Sequence, residues 1–157
     1  MDTFLRDLRT RATLGSMRTI ILPEAGDQRV LEAAKILVEE KIATPLFVCS
    51  PEEASAVRDR GFACVEMEKE ISDALGKLLL EVRASKVGTK DELTPEMARQ
   101  LAHDPLMYGM YLLRLGKGDG LVAGASRTSA EVIRAGLWLV GKADGIQTVS
   151  SSFYMIV

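Results

Sequence analysis

The sequence predicts an α/β fold, a three-layer αβα arrangement around a mostly parallel sheet. Two observations carry that expectation. Short apolar runs alternate with segments of helical period, the order expected of parallel strands joined by helical crossovers. Helix-start signals also come directly after those runs, at Asp27, at Ser50-Pro51-Glu52-Glu53 and at Thr128-Ser129-Ala130-Glu131. The 157 residues suffice for one domain or most of one.

An amphipathic surface helix runs through Phe4, Leu5 and Leu8. Residues 18–23 form a short apolar run closed by Pro23, which reads as a buried strand. Residues 27–40 read as a helix capped by Asp27, with Val30, Ala33, Ala34 and Leu37 on its apolar face. A second strand spans 44–49. The next helix opens on Ser50, takes Pro51 at its first position and completes a capping box with Glu53. Residues 64–66 are a weak third strand, and 71–83 a helix with Ile71, Leu75, Leu78 and Leu79 on one side. A polar connection over 87–93 leads to a helix begun by Thr94-Pro95 and ended by Asp104-Pro105. A further helix over 106–115 stops at Gly116. Residues 119–125 read as a strand, 128–140 as a capped helix and 147–157 as a last strand.

Composition excludes several classes. A net charge of −2 gives no domain-wide basic excess, which argues against nucleic-acid binding. No apolar run approaches the roughly 20 residues of a membrane span. Cys49 and Cys64 are the only cysteines and match no zinc spacing, so both read as reduced thiols of a cytoplasmic protein. Arg6, Arg9, Arg11 and Arg18 raise the thought of a transit peptide, but Asp2 and Asp7 interrupt it. No metal site is expected.

The segment with most chemical content is Gly124-Ala125-Ser126-Arg127-Thr128-Ser129, after the strand at 119–125. Open parallel sheets bind ligands beyond the carboxyl ends of their strands. A helix start there offers unpaired N–H groups and partial positive charge. Gly124 permits close backbone approach, Ser126 and Thr128 carry hydroxyls, and Arg127 offers a planar fork for phosphate oxygens. By residue pattern alone this is either an anion site or an ordinary turn with a surface arginine. Arg134 by position is a solvated helix residue, Arg83 a cation suited to a helix C-terminus, and His103 a structural histidine. Glu24, just past the first strand, is either catalytic or a turn residue.

Four segments in order resemble the phosphate acetyltransferase/phosphate butyryltransferase family. They are Ile20-Ile21-Leu22-Pro23-Glu24 through Arg29-Val30-Leu31-Glu32-Ala33-Ala34; Leu93-Thr94-Pro95-Glu96-Met97-Ala98 with Asp104-Pro105 and Tyr108-Gly109; Asp119-Gly120-Leu121-Val122-Ala123-Gly124-Ala125; and Thr128-Ser129-Ala130-Glu131-Val132-Ile133-Arg134 with Thr148-Val149-Ser150-Ser151. The resemblance implies the first domain of a two-domain α/β acyltransferase. Residues 1–145 would form that domain, and 146–157 the first strand of a second whose remainder is absent. It further implies transfer of an acetyl or butyryl group between coenzyme A, as substrate, and inorganic phosphate. No covalently bound cofactor is implied, and family members are usually homodimers. Arg83 and Arg134 match family arginines that contribute to coenzyme A or phosphate binding, and Thr128 and Ser129 match hydroxyl residues at the cleft mouth. Gly124, Ser126 and Arg127 complete the expected binding set.

The sequence departs from the family at Ser126-Arg127, where many members carry histidine or asparagine, and at Ala135, where proline is common. The family's serine, arginine and aspartate nearest the chemistry lie near its C-terminus. The last residues here, Phe153 to Val157, form an apolar run, so a C-terminal half is expected to be missing and the chain inactive alone. Catalytic residues are accordingly not assigned. A missing half or a homodimer is the expected protein partner. A non-catalytic coenzyme A- or phosphate-binding module is the alternative. A decarboxylating dehydrogenase of the isocitrate type ranks last, for want of an aspartate cluster and a dinucleotide site.

Overall fold

The computed structural model describes residues 2–86, 88 and 92–150. Its elements are α1 (Asp2–Thr13), β1 (Thr19–Leu22), α2 (Gln28–Glu39), β2 (Thr44–Cys49), α3 (Pro51–Asp59), β3 (Ala63–Glu66), α4 (Lys69–Val82), a 3₁₀ turn (Ala84–Lys86), α5 (Pro95–Ala102), α6 (Pro105–Arg114), β4 (Gly120–Leu121) and α7 (Ser129–Leu139). The four strands are all parallel, in the order β3-β2-β1-β4.

Alternation along the strands builds two cores. Ile21 and Val48 point to one face, where they meet Leu75 and Leu79 of α4, Ala98 and Ala102 of α5, Tyr108 and Leu112 of α6, and Ala135 and Leu139 of α7. Leu22, Phe47 and Cys49 point to the other, against Leu31 and Ala34 of α2 and Ala54 and Val57 of α3. Burial on both faces is why these strands read as continuous apolar runs rather than strict alternations. The expected three layers are therefore present. On α2 the buried residues are Leu31 and Ala34, while Ala33 is exposed.

The start signals act as expected. Asp27 accepts from the Arg29 amide at 2.9 Å, the Ser50 amide donates to Glu53 at 2.9 Å, and Thr94 accepts from the Met97 amide at 3.2 Å. Asp104 accepts from the Leu106 amide at 2.8 Å. All described side chains of α1 are exposed, and Arg9 ties it to Glu40 at 3.0 Å.

Two strands differ from expectation. The one expected over 119–125 is confined to Gly120–Leu121, with flanking bonds from the Asp119 amide to Thr19 O and the Val122 amide to Ile21 O. Its partner β1 ends against Pro23, which has no N–H to extend the ladder. Of the strand expected over 147–157, residues 147–150 are not in a strand and the rest lie outside the described residues. Most of the connection expected over 87–93 also lies outside them.

Strand order creates a crevice. From β1 the chain moves through β2 to β3 on one side, then returns to place β4 on the other. The space beyond the carboxyl ends of β1 and β4 is thus a topological switch point. Phe47 is fully buried at the sheet's centre, with its ring 5.5 Å from that of Phe62. Replacing it with alanine is expected to cost about 3–5 kcal/mol, measured by urea denaturation, because a large cavity opens between two rigid layers.

Candidate functional site

The switch-point crevice holds a carboxylate of the chain itself. Glu24 leaves the end of β1 and reaches across to the turn after β4. One of its oxygens accepts the amides of Gly124 (2.8 Å) and Ala125 (3.0 Å). The other accepts the amides of Ser126 (2.6 Å) and Arg127 (3.0 Å) and the Ser126 hydroxyl (2.8 Å). Gly124 makes this turn possible, since its φ of +112° lies where a side chain would be strained. Glu24 is only 8% exposed. Burial pulls its pKa upward, but the Ser126 amide and hydroxyl and the amides of Ala125 and Gly124 outweigh it, so the pKa falls below its ordinary value.

Arg29 secures the same turn from α2. Its guanidinium donates to the Ala125 carbonyl at 2.5 Å while gripping Asp27 at 2.6 and 3.0 Å. The peptides on both sides of Ala125 are therefore held from the β1–α2 connection. An apolar concavity of about 410 Å³ adjoins it, lined by Leu22, Val30, Leu37 and Val122 among others.

The arginines gather on the opposite side of the turn. Arg127, just before α7, and Glu131, Arg134 and Trp138 on it recur at helical spacing and line one pocket with Asp104 and Met107. Arg127 pairs with Asp104 at 2.7 Å and approaches Glu131 at 3.6 Å. Arg83, the C-cap of α4, lies over the Trp138 ring at 4.7 Å, a cation–π contact. The structure thus brings Arg127 and Arg134 to one pocket, and Arg83 to the Trp138 ring that lines it. The pocket measures about 110 Å³. That equals a few waters at roughly 30 Å³ each, and falls well short of the roughly 300–1,000 Å³ of a site for a larger ligand.

Thr128 and Ser129 are not in the pocket's lining. Thr128 is the N-cap of α7, its hydroxyl donating to Glu131 at 2.7 Å in a capping box, and Ser129 opens the helix in solvent. His103 caps α5, its Nδ1 facing the Arg99 carbonyl at 3.0 Å. Cys49 is buried and Cys64 half-buried, both free, and burial pushes the Cys49 thiol up to about 12. Among the described residues there is no group of three or more His, Cys, Asp or Glu able to hold a metal, and no helix long and apolar enough to cross a membrane. Sequence reasoning missed Trp138, Asp104 and Arg29 at the site, and missed that Glu24 faces the turn after β4. A carboxylate ending one strand beside a small-residue turn ending its neighbour is the signal that was available.

The family model for phosphate acetyl/butaryl transferase matches residues 3–157. The chain belongs to this family. It is 32% identical over 160 residues to the phosphate acetyltransferase of Acetivibrio thermocellus, covering 99% of this chain and 46% of that protein. To the phosphate acetyltransferase of Treponema pallidum it is 33% identical over 161 residues, covering 98% and 46%. A phosphotransacetylase crystal structure from Streptococcus pyogenes superposes with a TM-score of 0.73 at 28% identity, covering 94% of this chain and 45% of that one. The chain spans about half the length of the phosphate acetyltransferases it matches here.

Glu24→Gln is expected to lower stability by about 2 kcal/mol near neutral pH, because the charge that strengthens five hydrogen bonds is lost. The sign with pH comes from the depressed pKa. The stabilisation is complete above the ordinary glutamate value of about 4.3 and disappears as pH falls through the lower native one. Urea melts of both proteins at descending pH should therefore converge only in acid.

Proposed function

We propose that this chain is the anion-holding half of an acyltransferase that moves an acetyl or butyryl group between coenzyme A and inorganic phosphate. The observation that carries the reading is the meeting of Arg127 and Arg134 in one pocket lined by Trp138, whose ring Arg83 covers. In the reaction the coenzyme A thiolate attacks the acyl carbonyl of an acyl phosphate. A tetrahedral oxyanion forms, the bond to the phosphate oxygen breaks, and thioester and phosphate leave; the reverse direction runs through the same intermediate. Two anionic reactants must be held close, and negative charge develops between them. Guanidinium groups suit both needs, since they stay charged and bind phosphate oxygens in pairs.

The small pocket fits a phosphate-sized ion rather than the whole of coenzyme A. Its acidic lining residues, Asp104 and Glu131, both pair with Arg127. On this reading Ser129 and Thr128 sit at the rim, and the amides of Gly124 and Ser126 serve the turn rather than the ligand.

Further family structure would complete the cleft. Among the described residues β4 is an edge strand, and Val122 beside it, Ile133 and Leu137 on α7 and its C-cap Val140 are exposed apolar residues. We read the partner of this surface as the remaining half of the family fold, in an enzyme that is homodimeric when whole. The cytoplasm suits its free thiols. A module that binds phosphate or coenzyme A without turnover is the second reading.

Purified chain, incubated with acetyl-CoA and phosphate, is expected to form no acetyl phosphate, while calorimetric titration detects phosphate binding. Arg134→Ala should weaken that binding about ten- to hundredfold, the loss of one charge-assisted contact worth about 1.5–3 kcal/mol. Equal phosphate affinity in Arg134→Ala sinks the pocket assignment, and robust turnover by the chain alone sinks the division of labour.

A further inference from the structure

Convergent backbone N–H groups form a concavity that binds anions. In the turn after β4, four successive amides converge, and the anion they hold is attached to the neighbouring strand. An outside phosphate could enter only by expelling Glu24, which would leave a carboxylate stripped of five hydrogen bonds in a largely buried place. The nest is therefore closed to substrate, and its value to the pocket has to be indirect.

The route is short. The Arg127 amide is one of the four donors, so the point at which this side chain departs is fixed by Glu24. From that point the guanidinium reaches Asp104 at 2.7 Å and faces the pocket that Arg134 also lines. Arg29, bonded to the carbonyl of Ala125, prevents the turn from rotating about the Glu24 contacts.

We propose that Glu24 is a positioning residue: its carboxylate fills the amide nest at residues 124–127 and thereby sets the angle at which Arg127 enters the oxyanion pocket. The proposal rests on the reading of that pocket as a phosphate site. It assigns the acidic residue after β1 a role in binding a negatively charged substrate, through a cation rather than by contact.

The test uses the 157-residue chain, with Glu24→Gln, Arg127→Ala and the double variant. Amide hydrogen exchange at residues 124–127, tracked by NMR, is expected to accelerate at least about tenfold in Glu24→Gln while Ile21 and Leu75 amides stay protected. Phosphate affinity, titrated near neutral pH, should fall about tenfold in Glu24→Gln and in Arg127→Ala, and no further in the double variant, because both changes act through one guanidinium. Faster exchange with unchanged phosphate affinity overturns the positioning role and leaves a structural clamp. Tighter phosphate binding in Glu24→Gln also overturns it, because a vacated nest would then be taking the ligand directly. Absence of phosphate binding in the unaltered chain sinks the pocket reading and the positioning role with it, a result distinct from the first two.

Discussion

The pairing of β1 with β4 is the contact on which the site depends, and it is very short. Only two residue pairs are in register, Ile20 with Gly120 and Ile21 with Leu121. A ladder of that length holds two strands weakly by itself. Side chains at its ends supply the rest. At the amino end Asp119 accepts from the Thr19 amide at 2.8 Å and from Arg18 at 2.9 Å. At the carboxyl end Glu24 accepts five donors from the turn after β4. One carboxylate from each strand reaches across to the other. The strand pair is thus closed at top and bottom by charge-assisted bonds, which are stronger than the neutral ladder bonds between them.

That arrangement explains why the fold was easier to read in the sequence than the site. The layers arise from local signals. Strand β2 coincides with its expected bounds because Thr44 to Cys49 is a dense apolar run ended by Ser50-Pro51. The caps at Asp27, Ser50, Thr94 and Thr128 depend only on neighbours a few residues away. The length of β4 depends on a partner some hundred residues earlier, where Pro23 ends the ladder. On α2, Leu31 and Ala34 are buried and Ala33 is exposed, so helical period alone did not select which flank of the apolar stripe faces inward.

The site shows the same division more sharply. Gly124, Ser126 and Arg127 stand out in the sequence as a cradle for an anion, and the structure holds an anion there. The anion is Glu24, and nothing in the residues around 124 reveals that. The residue pattern alone read Arg83 and Arg134 as unrelated helix cations, and only the resemblance grouped them with Arg127, since the approach of Arg83 to α7 arises from α4 and α7 meeting at Trp138. The amide cradle and the pocket arginines are separate features that share Arg127. The first joins β1 to the turn after β4, and the second is the phosphate site we propose.

Trp138 has one more implication. It is the sole tryptophan of the chain, and its indole lies under Arg83 while lining the pocket shared by Arg127 and Arg134. Any ion that draws those guanidinium groups toward itself alters the electric field at a single fluorophore. The emission spectrum of this protein is consequently a local optical report on the pocket arginines, undiluted by signal from other indoles, and needs no attached dye.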